Sequence, residues 1–258
     1  MLNNMNPSLK AFSVLIGIIM LSVFFDPITP LISLILTVAI TFVLGKVSLK
    51  RWILLFSPFI FMSIVYVWSS LLFPRTYPGD NIIWQWQFIS ITSEGLLRSL
   101  ALGLRILSFA SLSLLFVLTT NPIRFLHSLM QQCRLSPKLA YSIMAGYQFL
   151  PLIKEEFEII RNAHRVRGAG RSRTIMDKIR QIKKYTIPLL ANGIRKAERT
   201  AIAMESKGFT GDKNREYYHI ITISKKDWLL SCVLVSIVFI SITVSFLFGY
   251  LNFYNGQL

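Results

Sequence analysis

Two short stretches carry the side chains best suited to recognition. "AMESKGF" runs from Ala203 to Phe209, and "AHRVRGA" runs from Ala163 to Ala169. Superposed, they put Ala203 on Ala163, Lys207 on Arg167 and Gly208 on Gly168. Each closes a polar helical run with a cation and then a glycine. The glycine can take the left-handed conformation without a Cβ penalty. A cation in the last turn favours the negative end of the helix dipole by about 0.3–1 kcal/mol. Ordinary helix capping explains either stretch alone, but it does not ask for an alanine four residues before the cation in both. Three functional readings stand beside it. Clustered cations next to a membrane bind anionic lipid, at about 1 kcal/mol each. Nucleic-acid binding is not expected, because interleaved aromatics and a recognisable module are missing. Lastly, two projecting cations could each enter an acidic groove on a partner protein.

Other chemistry is thinly supplied. No G-x-x-x-x-G-K-[ST] phosphate loop occurs, and "GAGRSRT", Gly168 to Thr174, has neither the spacing nor the lysine, so ATP hydrolysis by this chain is not expected. His127, His164 and His219 are scattered, and Cys133 and Cys232 fall in different environments. Neither a metal site nor a disulfide is expected, nor any catalytic residue or cofactor. Glu155, Glu156 and Glu158 lie among many cations and read as ion-pairing groups rather than acid–base catalysts. Arg105 sits near the middle of an apolar run, where a charge is costly. It suits a contact with a partner subunit or a buried carbonyl cluster, or a side chain that snorkels to the interface.

The elements that would position these residues are mostly apolar. The 258 residues are 53% hydrophobic, yet carry a net charge of +16. From Thr120 to Asp227 there are 21 basic and 9 acidic residues. The chain therefore reads as a membrane protein with a large basic insert. Five apolar runs stand out: Ala11 to Phe25, Ile28 to Leu44, Trp52 to Phe73, Leu96 to Leu118 and Trp228 to Tyr250. Asp26-Pro27 separates the first two. Pro74 to Glu94 reads as a loop, with Trp84 and Trp86 suited to a membrane interface. The basic loop "GKVSLKR", Gly45 to Arg51, and the basic insert lie on one side, which the positive-inside rule makes cytoplasmic. The N-terminus is then inside and the C-terminus outside.

The insert itself reads as helices. Asn121-Pro122 starts one, with Ile123, Leu126, Leu129 and Met130 on a common face. Ser136-Pro137 starts a second, with a kink or restart expected at Pro151 and an end at Gly168 and Gly170. A third runs from around Arg173 past Pro188 to Lys207. The expected division is 1–119 for four membrane helices, 120–227 for the cytoplasmic helical arm, and 228–258 for the last membrane helix and an external tail.

In order along the chain, "NPSLK" (Asn6 to Lys10), "LRIL" (Leu104 to Leu107), "LTTNP" (Leu118 to Pro122), "YQFLP" (Tyr147 to Pro151), "AHRVRG" and "AMESKGF" resemble the T component, the transmembrane coupling subunit, of energy-coupling factor (ECF) transporters. Gln148 stands where that family usually has Arg. The family's Ala-Arg-Gly signatures become Val166-Arg167-Gly168 and Ser206-Lys207-Gly208. Lys207 keeps the charge but loses the planar bidentate fork of Arg. The resemblance implies an all-α integral membrane protein with about five membrane helices. It is expected in the cell membrane of a bacterium or archaeon, without catalytic activity of its own. The implied partners are two ABC-type ATPase subunits, a substrate-binding membrane subunit (the S subunit) and the lipid bilayer. The implied cargo is a vitamin, a vitamin precursor or a metal ion. An integral-membrane enzyme acting on lipid or prenyl phosphates is the rival reading, although the clustered Asp such enzymes use is not visible.

Overall fold

The computed structural model describes residues 2–24, 26–72, 82–86, 89–167, 175–212 and 216–249. Their elements are α1 (Pro7–Val23), α2 (Ile28–Val43), α3 (Leu49–Leu72), β1 (Ile82–Trp86), β2 (Ile89–Thr92), α4 (Ser93–Thr119), α5 (Pro122–Gln132), α6 (Pro137–Val166), α7 (Ile175–Ser206) and α8 (Lys225–Leu247). The protein is an all-α membrane protein with one small hairpin. Two compact units divide the chain, Met1–Ser128 with Ile221–Leu258, and Leu129–Ile220.

In the first unit the helix ends follow local chemistry. The α1 helix begins at Pro7, four residues before the apolar run that announces it. The Asn6 side chain accepts from the Ser8 and Leu9 amides at 3.1 and 3.4 Å, and Pro7 needs no amide donor in the first turn. The Ser224 and Asp227 side chains form a capping box that starts α8. By length and composition, α3, α4 from Gly95 and α8 can each cross a membrane. The apolar α1 and α2 are shorter, at 17 and 16 residues. Packing centres on α4, which contacts α1, α2 and α3, while α8 packs on α1 and α2.

Small hydroxyl residues mark the buried faces. Thr29, Ser33, Thr37 and Thr41 recur every four residues on α2 and are all fully buried, as are Ser108 on α4 and Ser241 and Ser245 on α8. Several of these hydroxyls turn back on the carbonyl four residues earlier, among them Thr37 Oγ1 to Ser33 O (2.6 Å), Thr41 Oγ1 to Thr37 O (2.7 Å) and Ser241 Oγ to Ile237 O (2.8 Å). Small residues let helices approach where lipid supplies no hydrophobic drive for association. Gly103 shows how close: a Cβ there would stand 2.4 Å from Val67 Cγ2. Large apolar side chains such as Leu54 (72% exposed) and Phe61 (70% exposed) cover the outer face of α3.

Two local expectations change. The segment read as a loop contains an antiparallel hairpin, with Trp84 opposite Ile91 and Trp86 opposite Ile89. "IIWQW" and "ISIT" are β-branched and aromatic, which suits a pleated strand. The restart allowed at Pro151 does not occur, since α6 continues through it; α7 continues past Pro188, as expected. A proline inside a helix removes one backbone bond, and the turns on both sides here remain long enough to hold.

Candidate functional site

The second unit is built on α6 and α7. Tyr141 of α6 meets Phe209, just past α7, with ring centroids 5.3 Å apart. Lys196 of α7 forms a salt bridge to Glu156 of α6 at 2.6 Å, and Asn192 donates to the same carboxylate at 3.1 Å. Phe157 and His164 of α6 both pack edge-on against Tyr185 of α7, at 5.6 and 5.3 Å. Partner numbers fall on α7 as they rise on α6, so the helices are antiparallel. The hydrogen bond from Lys196, and then that from Asn192, holds the Glu156 carboxyl below the usual carboxylate range. The acidic residue thus acts as an ion pair, and His164 as a packing residue.

The antiparallel pairing sends the two cations to opposite ends. Arg167 caps α6, with its amide donating to Ala163 O at 3.2 Å, and both side chains are exposed. Gly168 lies outside the described residues. Arg167 is 26 residues past Tyr141, while Lys207 lies beside the Tyr141–Phe209 contact. At 1.5 Å per residue the two cations are separated by about 39 Å of helix. They cannot act on one small ligand, but they can act as two separate contacts.

The α7 end is fully formed. Gly208 has φ +81°, its amide donates to Glu205 O at 2.9 Å, and the Phe209 amide donates to Met204 O at 3.0 Å. This is a Schellman turn, which satisfies carbonyls the helix cannot. Lys207 and Ala203 are exposed beside it. Sequence reasoning placed the glycine but missed Phe209, which anchors the turn on Tyr141. An aromatic directly after a C-terminal glycine was the available signal.

Arg105 belongs to the first unit. It is half-buried on α4, and its guanidinium donates to the carbonyl of Phe24, where α1 ends. Asp26, fully buried, is close enough to attract it. Asp26 is itself held by the Thr29 amide (2.8 Å), Thr29 Oγ1 (2.5 Å) and Ser245 Oγ (2.5 Å). The charge therefore has a carbonyl and a carboxylate within the chain. Among the described residues no group of three or more His, Cys, Asp or Glu could hold a metal ion.

The fold and these sites define an α-helical membrane protein that carries a basic antiparallel helix pair with an exposed cation at each end. Residues 1–218 match the cobalt transport protein family, CbiQ, and the chain belongs to that family. It is similar to the energy-coupling factor transporter transmembrane protein EcfT of Streptococcus thermophilus, 27% identical over 236 residues that cover 88% of each chain. The EcfT of Bacillus subtilis is 27% identical over 247 residues, 86% of this chain and 92% of the relative. That of Acidaminococcus fermentans is 29% identical over 170 residues, with 63% of each chain aligned. These relatives agree with the T-component resemblance in the sequence: the protein is a membrane-embedded transport component of the energy-coupling factor class.

Proposed function

We propose that this chain couples two ABC-type ATPase subunits to a substrate-binding membrane subunit. ATP-driven closure of the ATPases would draw on the ends of α6 and α7. The membrane helices would pass that motion to the substrate-binding subunit, and a vitamin, vitamin precursor or metal ion would enter the cell. The chain itself contributes no catalysis. The observation that carries this reading is the pair of exposed cations, Arg167 and Lys207, at opposite ends of one antiparallel pair. Two like ends, about 39 Å apart along the helix, suit a paired ATPase that offers two similar acidic grooves.

Pull-down of the ATPases and substrate uptake, with expression checked in the membrane fraction, test the proposal. Losing one partner of a desolvated charge pair costs about 2–5 kcal/mol, so Arg167→Glu should weaken assembly strongly. Arg167→Glu with Lys207→Glu should abolish uptake while insertion stays normal. Lys207→Arg should hold or improve coupling, because it supplies the bidentate fork. Wild-type ATPase binding and uptake by the double reversal would reduce both ends to ordinary caps.

A further inference from the structure

Three segments far apart in sequence, 2–10, 119–128 and 224–227, meet at the start of α1. The Asn6 amide donates to Asp227 Oδ1 in the first turn of α8 at 3.2 Å, and Asp227 Oδ2 accepts from the Ser224 amide at 2.9 Å. The Ser8 amide donates to Ser128 Oγ on α5 at 3.0 Å, and the two serine hydroxyls also bond. Lys10, 1% exposed, points its ammonium at the carbonyls of Leu2 (2.6 Å) and Thr119 (3.1 Å) and at the hydroxyls of Thr119 (3.2 Å) and Thr120 (3.3 Å). Asp227 attracts this cation and Arg124 repels it.

Each contact falls on a structural junction. Thr119 is the last residue of α4, so its carbonyl lacks a partner within the helix. A cation there meets the negative end of the helix dipole. Two residues later the Asn121 side chain accepts from the Ile123 and Arg124 amides at 2.9 and 3.3 Å and starts α5. Thr119 to Asn121 is therefore the elbow where the chain leaves the last turn of α4 and heads, through α5, towards α6 and α7. A buried ammonium must have its hydrogen bonds met, and an apolar residue of the same shape is often no less stable. Burial of a cation at this point is accounted for by the geometry it imposes. The docking reading leaves "NPSLK" and "LTTNP" without a task, yet they meet here, with Lys10 hydrogen-bonded to Thr119 and Thr120.

We propose that Lys10 is a positioning residue that locks the α4–α5 elbow so that motion in the helical arm is transmitted rather than absorbed. This rests on the coupling function above, and the experiment separates the two. Lys10→Met and, independently, Thr119→Val with Thr120→Val are made in the full chain and assembled with ATPase and substrate-binding subunits in liposomes. Amide hydrogen exchange over residues 119–125 reads the elbow directly, whatever the protein does. Loss of hydrogen bonds to a charged group should speed it about tenfold or more in Lys10→Met, with a smaller gain in the threonine pair. ATPase pull-down should be unchanged, and uptake per ATP hydrolysed should fall about fivefold or more, a ratio that simple loss of folded protein does not alter. Lys10→Arg should recover part of it. If a variant that reaches the membrane keeps wild-type exchange at the elbow and wild-type uptake per ATP, the proposal is overturned. Failure of both variants to insert would also overturn it, by making the cluster a folding requirement. Failure of the wild-type chain to bind ATPases would instead refute the coupling function and leave the exchange result standing.

Discussion

Gly208 and Lys207 share one turn but do different work. The left-handed φ of +81° closes α7, and the cation projects from the closure. Open space surrounds the glycine, so a methyl group there would meet no clash but would still occupy a backbone region that L-residues pay about 1–2 kcal/mol to enter. Gly208→Ala should therefore fray the last turn of α7 while leaving overall folding intact. Hydrogen exchange at the Gly208 and Phe209 amides checks this, and both should exchange about five- to thirtyfold faster. Unchanged exchange would mean that the Tyr141–Phe209 contact, and not the glycine, holds the turn.

At the scale of elements, α6 and α7 are joined by aromatic packing and by the Glu156–Lys196–Asn192 cluster. Lys196 and Asn192 lower the Glu156 carboxyl below its ordinary value of 4.5. A carboxyl that is more acidic when folded stabilises the fold above its unfolded value, and the contribution is lost as pH falls through the lowered one. The α6–α7 pair should thus loosen as pH drops below about 4.5, and Glu156→Gln should flatten that part of the profile. Exchange at α6 and α7 amides between pH 6 and pH 3, corrected for the intrinsic rate, measures both. Because the pair is partly exposed, salt should weaken the effect.

For the whole molecule, the distribution of charge sets the proposed orientation. On that proposal the basic loop and the basic residues 120–227 would lie inside, and residues 74–94 and the C-terminus outside. Cys133 and Cys232 are both free and exposed, so labelling requires a background with each replaced by serine. In that background Gly79→Cys and Gln257→Cys should react with a membrane-impermeant thiol reagent in intact cells. Ser172→Cys should react only after the cells are opened. External labelling of Ser172→Cys would reverse the orientation.

The sequence by itself determined the membrane class, the five apolar helices and the basic helical arm, because these follow from run length, charge and the chemistry of caps. Asn121-Pro122 and Gly208 mark helix ends through their own backbone preferences, which need no distant partner. Tertiary structure decided what long-range contacts control. In lipid both the outer and the inner faces of a helix can be apolar, so periodicity did not announce that Thr29, Ser33, Thr37 and Thr41 face inward. The β1–β2 hairpin depended on two short segments pairing. The antiparallel order of α6 and α7, set by Tyr141–Phe209 and Glu156–Lys196, put Arg167 and Lys207 at opposite ends. Lys10 and Thr119, 109 positions apart, became neighbours only when α1 packed against the end of α4, a contact that neither stretch encodes locally.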